Sequence, residues 1–217
     1  MKEITFKCKD TPIKAYFSLP QLARGLVIFI HDTGSSRDSN QDQFIARVLE
    51  RGGIGYLLFD LLTDKEEKQE METQEYSKNL PFLTERVLAA TRWVKEQEEF
   101  KDIPIGYLGV GAGSTAAFCA SAIESSLKAL VCLGAPEEPA TSVLENILAP
   151  TLLLVGSKDH HGEEINNKIL EKLTCEKALK LIGAAGPKFQ EPGAIEITSM
   201  KTFNWFIVKF GGIPGVK

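Results

Sequence analysis

Short apolar runs alternate with amphipathic stretches along the whole chain. The run Leu26-Val27-Ile28-Phe29-Ile30 is uninterrupted and stops at His31. That form predicts a strand covered on both faces. It recurs at 55–59, 105–110, 129–133, 151–155 and 178–182. Between the runs the period changes. Phe44, Ile45, Val48 and Leu49 repeat at helical spacing, as do Ile165, Ile169 and Leu173. Further helices are predicted over 83–95 and 113–123, with a short one near 143–148. The last helix places Phe203, Phe206, Ile207 and Phe210 on one face. Residues 4–7 and 15–18, separated by a polar stretch, predict an antiparallel pair at the start. Continuous apolar strands joined through helices require a parallel sheet with helices on both faces. With right-handed crossovers this is one three-layer α/β domain over 1–217, its sheet mostly parallel and of about eight strands.

The stretch 63–79 breaks the rhythm. Its six acids and three lysines predict a solvated loop or exposed helix, with a mobile flap over a site as the alternative.

Composition narrows the function classes. With 25 basic and 29 acidic residues the formal charge is −4, and no basic stripe runs along any element, so no nucleic-acid partner is expected. The apolar runs are far short of a membrane span, so no membrane role is expected. The N-terminal MKEITFKCKD carries charges where a signal peptide needs an apolar centre, which makes the cytoplasm the expected location. The four cysteines are scattered with no CxxC pair and read as reduced structural thiols.

Ligands of open parallel sheets bind at the carboxyl ends of the strands, so the residues that follow each run matter most. His31, Asp32, Thr33 and Arg37 follow the first, Asp60 the second, and Gly109 to Ser114 the third. Asp159, His160 and His161 follow a later one. These groups include imidazole and carboxylate ligands, but no spacing matches a metal signature, so no metal is expected. The Gly-Val-Gly-Ala-Gly-Ser run at 109–114 mimics a dinucleotide fingerprint. Its third glycine is Ser114, and the next strand ends at Gly134 rather than an acid, so no nicotinamide, flavin or other cofactor is expected. A glycine-rich turn opening a helix could bind an anion, with Arg37 adding charge. The alternative for Arg37 is a structural ion pair with Asp38 or Asp42.

Five segments carry a family resemblance: HDTGSSR at 31–37, LLFDLLT at 57–63, GYLGVGAGSTAA at 106–117, APTLLLVGSKD at 149–159 and FQEPGAI at 189–195. Together they resemble the α/β-hydrolases, in the small dienelactone-hydrolase-like branch without a cap domain. The resemblance implies an ester- or lactone-hydrolase fold with a nucleophile elbow Gly-x-Nu-x-Gly, an acid after a later strand, and a histidine on a late loop. Residue by residue, the nucleophile position is Gly111, the acid position Asp159 and the histidine position Pro187. Asp32 stands where related hydrolases have glycine, and its carboxylate would oppose an oxyanion. The expectation is a pocket formed with His31, Asp32, Thr33, Arg37, Ala112 and His160. It would bind a small molecule or an unknown protein partner without triad chemistry. The alternative is an ester or lactone hydrolase using Ser114 as a displaced nucleophile with His160 or His161.

Overall fold

A computed structural model describes residues 1–32, 34–136 and 141–211. The antiparallel pair is β1 (Lys2–Cys8) and β2 (Thr11–Ser18). The remaining strands are β3 (Leu26–Ile30), β4 (Gly55–Phe59), β5 (Ile105–Val110), β6 (Ala129–Leu133), β7 (Thr151–Gly156) and β8 (Lys177–Ile182). They form one eight-stranded sheet in the order β1-β2-β4-β3-β5-β6-β7-β8. β2 meets β4 antiparallel, and every pairing from β4 across to β8 is parallel. The helices are α1 (Asn40–Arg51), α2 (Asp64–Thr73), α3 (Leu80–Glu96), α4 (Gly113–Ile123), α5 (Thr141–Glu145), α6 (His160–Lys172) and α7 (Ala194–Lys209). This is the three-layer α/β-hydrolase architecture, with no cap domain among the described residues.

The unbroken apolar strands follow from burial on both sides. In β3, Leu26, Ile28 and Ile30 join the core beneath α3, α4, α5 and α6. Val27 and Phe29 point the other way, into the core beneath α1 and α7. Successive strand side chains alternate between faces, so a strand covered twice has no position left for a polar residue.

Helix α7 is keyed into the sheet layer by glycines. A Cβ at Gly106 of β5 would lie 2.6 Å from the Phe206 ring, and one at Gly52 after α1 would lie 2.0 Å from Phe203. A Cβ at Gly25 would lie 2.1 Å from Phe210. The three aromatics thus occupy the space that side chains at those glycines would need.

The acidic stretch 63–79 contains the exposed helix α2. Thr63 and Glu66 form a reciprocal cap at its start, and none of its residues is buried. Glu66 also holds the buried Arg86 guanidinium at 2.6 Å, which fixes the helix to α3. All four cysteines are free thiols. Among the described residues no helix is long and apolar enough to cross a membrane.

Candidate functional site

The turn between β5 and α4 is built by glycines for two reasons. Gly111 has φ +54°, a left-handed conformation that side chains adopt only under strain. Gly113 needs no side chain because a Cβ there would lie 2.3 Å from the His31 carbonyl oxygen. The turn therefore packs tightly under the end of β3 and points residue 111 to the carboxyl rim of the sheet.

Asp32 turns inward onto this turn. Its Oδ1 accepts a hydrogen bond from the Ala112 N–H at 3.2 Å. Its Oδ2 lies 2.7 Å from where a Cβ on Gly111 would be. The carboxylate thus fills the space of a side chain at 111 and takes up the first free donor of α4.

A cavity of about 490 Å³ opens above this point. Asp32, Asp42, Gly111, Leu133, Pro187 and Phe189 are among its walls. Asp42, in the first turn of α1, is 2% exposed. Burial pushes its carboxyl up to about 6 and the Asp32 charge adds to the rise, while a hydrogen bond with Ser39 lowers it. Sequence reasoning offered Asp42 only as a partner for Arg37. An acid three residues after a cap is ordinary in a helix, and nothing local marks it as a cavity wall.

His31 is 3% exposed and both of its ring nitrogens are engaged. Nε2 accepts from the Leu61 N–H at 3.3 Å, so Nδ1 is the donor to the Asp32 carbonyl oxygen at 2.9 Å. This neutral ring ties the ends of β3 and β4 together, away from the cavity. Thr33 lies outside the described residues.

Arg37 also stands apart, and its partner is neither Asp38 nor Asp42. Its guanidinium pairs with Asp60, whose other oxygen accepts from the Arg37 N–H at 2.9 Å. Glu3 lies 3.2 Å from the same guanidinium, which also covers the Tyr16 ring at 4.8 Å. It belongs to a separate, smaller cavity beside β4 and α2.

Asp159 follows β7 on the same rim. It is 7% exposed and caps α6, with Oδ1 accepting from the Gly162 N–H at 2.9 Å. Its Oδ2 is buried with no hydrogen-bond partner among the described residues. The loop carrying Pro187 lies alongside, joined to this turn by the Lys158 N–H bond to the Ala185 oxygen at 2.9 Å. Two residues of that loop, Ala184 and Phe189, hold left-handed φ of +58° and +51°. His160 and His161 are exposed in the first turn of α6 and do not line the cavity.

The displaced-nucleophile alternative rests on Ser114. Ser114 is fully buried in the first turn of α4. A Cβ on Gly109 would lie 2.6 Å from its Cα, so the hydroxyl is wedged against β5. Among the described residues no group of three or more His, Cys, Asp or Glu is placed to hold a metal ion.

Comparison with known proteins places this geometry in a lineage. No protein-family model matches the chain. Two curated proteins from strains of Mycobacterium tuberculosis, each named "putative phosphoribosyl transferase", are 32% identical over 99% of this chain. The match takes in 47% of their length, so the chain spans about half of these relatives. A dienelactone hydrolase from Anabaena variabilis is 32% identical, with a TM-score of 0.92, and the match covers 95% of this chain and 97% of that one. Est1E from Butyrivibrio proteoclasticus, at 14% identity and a TM-score of 0.77, covers 95% and 98% and shares the fold. So does a dienelactone hydrolase-like promiscuous phosphotriesterase from metagenomic libraries, at 15% identity, a TM-score of 0.79 and coverage of 97% and 98%. A third of the residues shared with a dienelactone hydrolase along nearly both full chains, on the same sheet, makes this chain a member of the dienelactone-hydrolase-like α/β-hydrolases.

Proposed function

We propose that this chain is a small-molecule-binding member of its family in which serine-hydrolase chemistry has been dismantled. One observation carries the reading. The Asp32 carboxylate sits where a nucleophile on residue 111 would project, and it accepts the Ala112 N–H. In the family that N–H, following the nucleophile, is an oxyanion donor. Acyl transfer needs a nucleophile, a base and a free donor for the developing negative charge. Here residue 111 is glycine, residue 187 is proline, and the donor is bound to a fixed negative charge.

Asp159 fits the same reading. Its capping bond to α6 supplies a structural reason to retain an acid there after catalysis is gone. Its second oxygen is buried with no hydrogen-bond partner among the described residues. A phosphoribosyl transferase activity finds no support at this turn. A phosphate at this turn would compete with Asp32 for the Ala112 N–H.

The test is a panel of short-chain 4-nitrophenyl esters and simple lactones with the wild-type chain. Turnover should not exceed that of heat-denatured protein. Saturable turnover that survives purification would overturn the reading.

A further inference from the structure

We propose that α2 is a hinged strap that lifts as one unit off the cavity beside β4, and that the Glu66–Arg86 ion pair is the latch that holds it shut.

The strap is bonded to itself far more than to the rest of the fold. Thr63 and Glu66 close the reciprocal cap at its start. Past its end, Gln74 turns the chain with a left-handed φ of +52°. The Glu70 carboxylate then accepts the Tyr76 and Ser77 N–H groups at 2.7 and 3.2 Å. No residue of α2 is buried, so no apolar face pins it down, and a ten-residue helix is marginal in water without one. Among the described residues, its polar ties to other elements are two ion pairs, Lys14–Asp64 at 2.8 Å and Glu66–Arg86 at 2.6 Å. The first is exposed on both sides, where such pairs contribute little. The second is sheltered, with the Arg86 side chain 4% exposed and that of Glu66 16%.

This latch uses only half of the guanidinium fork. Arg86 donates through Nη2 to Glu66 Oε1, while Glu66 Oε2 accepts from the Thr63 N–H at 2.7 Å. Nη1 is buried with no hydrogen-bond partner among the described residues. A guanidinium held by one arm is costly to keep buried once its counter-charge is gone. Removing the Glu66 charge therefore drives Arg86 toward water, and lifting α2 admits that water. Both ends of the strap are anchored. The chain enters from Leu61 and Leu62, which are buried, and leaves through Tyr76, whose ring packs at 5.1 Å on Phe82 of α3. Between those anchors, Asp64 and Glu67 of α2 wall the cavity of about 270 Å³ that also holds Arg37 and Asp60. Lifting α2 takes that wall away.

Hydrogen exchange and arginine modification read the motion on the intact chain. In the wild type, α2 amides should exchange at least about a hundredfold faster than those of β5, at a rate that low denaturant does not change. Glu66→Gln keeps a side chain able to complete the cap but removes the charge, and should speed that exchange at least about tenfold, the scale of a hydrogen bond to a charged group. Lys14→Met should change it by less than about fivefold. Phenylglyoxal modification of Arg37, followed peptide by peptide, should rise in Glu66→Gln by the same factor as α2 exchange, while the exposed Arg51 is unaffected. Thermal melts confirm that both variants fold, and the denaturant series needs no variant. The strap is overturned if wild-type α2 amides share the rate and denaturant slope of β5. The latch is overturned if Glu66→Gln leaves α2 exchange unchanged, or if Lys14→Met speeds it more. Faster α2 exchange with Arg37 modification unchanged would mean that the helix frays without opening the cavity, and would overturn the gate.

Discussion

A carboxyl group buried in a pocket wall makes stability depend on pH in the direction opposite to that of most acids. Asp42 is such a group, raised from an ordinary 3.8 to about 6 chiefly by burial. Between roughly pH 4 and pH 6 the folded chain keeps a proton that the unfolded chain has released. Stability therefore falls as pH rises through that window, and the full penalty, roughly 3 kcal/mol, is present above it. The Asp32 charge adds to this rise, and the hydrogen bond with Ser39 opposes it. Replacing the acid by an amide removes the titration. Asp42→Asn should be more stable than wild type at pH 7.5, and the two melting curves should converge as pH drops toward 4. Parallel melting temperatures across that range would show that Asp42 is not buried as an acid.

At the scale of elements, the fit of α7 against β5 rests on space that a single methyl group would fill. Phe206 and Phe210 stack at 5.5 Å, and a Cβ on Gly106 would meet both, at 2.6 and 3.0 Å. Gly106→Ala should cost about 1–3 kcal/mol through overpacking. At this chain length that lowers the melting temperature by roughly 2–4 °C per kcal/mol. Gly183→Ala is the control, since nothing lies within 4 Å of a Cβ there, and it should stay within about 0.5 kcal/mol of wild type. Equal effects of the two would mean that α7 can shift without penalty. The periodicity of α7 was plain in the sequence because an aromatic face at helical spacing is a local pattern. The glycines that receive it were not, because they lie about 100 to 185 residues earlier, and only the crossovers bring them under the helix.

At the scale of the whole molecule, the candidate site gathers loops after β3, β5, β7 and β8, and positions 32 and 111 meet directly. A serine at 111 would place its Cβ 2.7 Å from the Asp32 carboxylate, so the hydroxyl cannot be restored while Asp32 keeps its place. Gly111→Ser with Pro187→His should therefore remain at background. Adding Asp32→Gly frees both the space and the Ala112 N–H, and should raise ester turnover by about 10²-fold over the double variant, the scale of one oxyanion donor. The gain should exceed the product of the separate changes, because members of a triad act as a unit. A triple variant no faster than the double one would mean that Asp32 is not what blocks the turn.

The sequence by itself determined the order of strands and helices, the parallel sheet with two covered faces and the glycine-rich turn at 109–113. Those are matters of period, punctuation and motif, and each is written within a few neighbouring residues. Only the tertiary structure decided where three polar side chains point. Asp32 turns inward to the Ala112 N–H, Asp42 enters the cavity from α1, and Arg37 leaves it for Asp60 and Glu3. It also buried Ser114 behind Gly109. A polar side chain settles on whichever donor or charge the fold brings within about 3 Å, and that partner is set by strand order rather than by sequence neighbours.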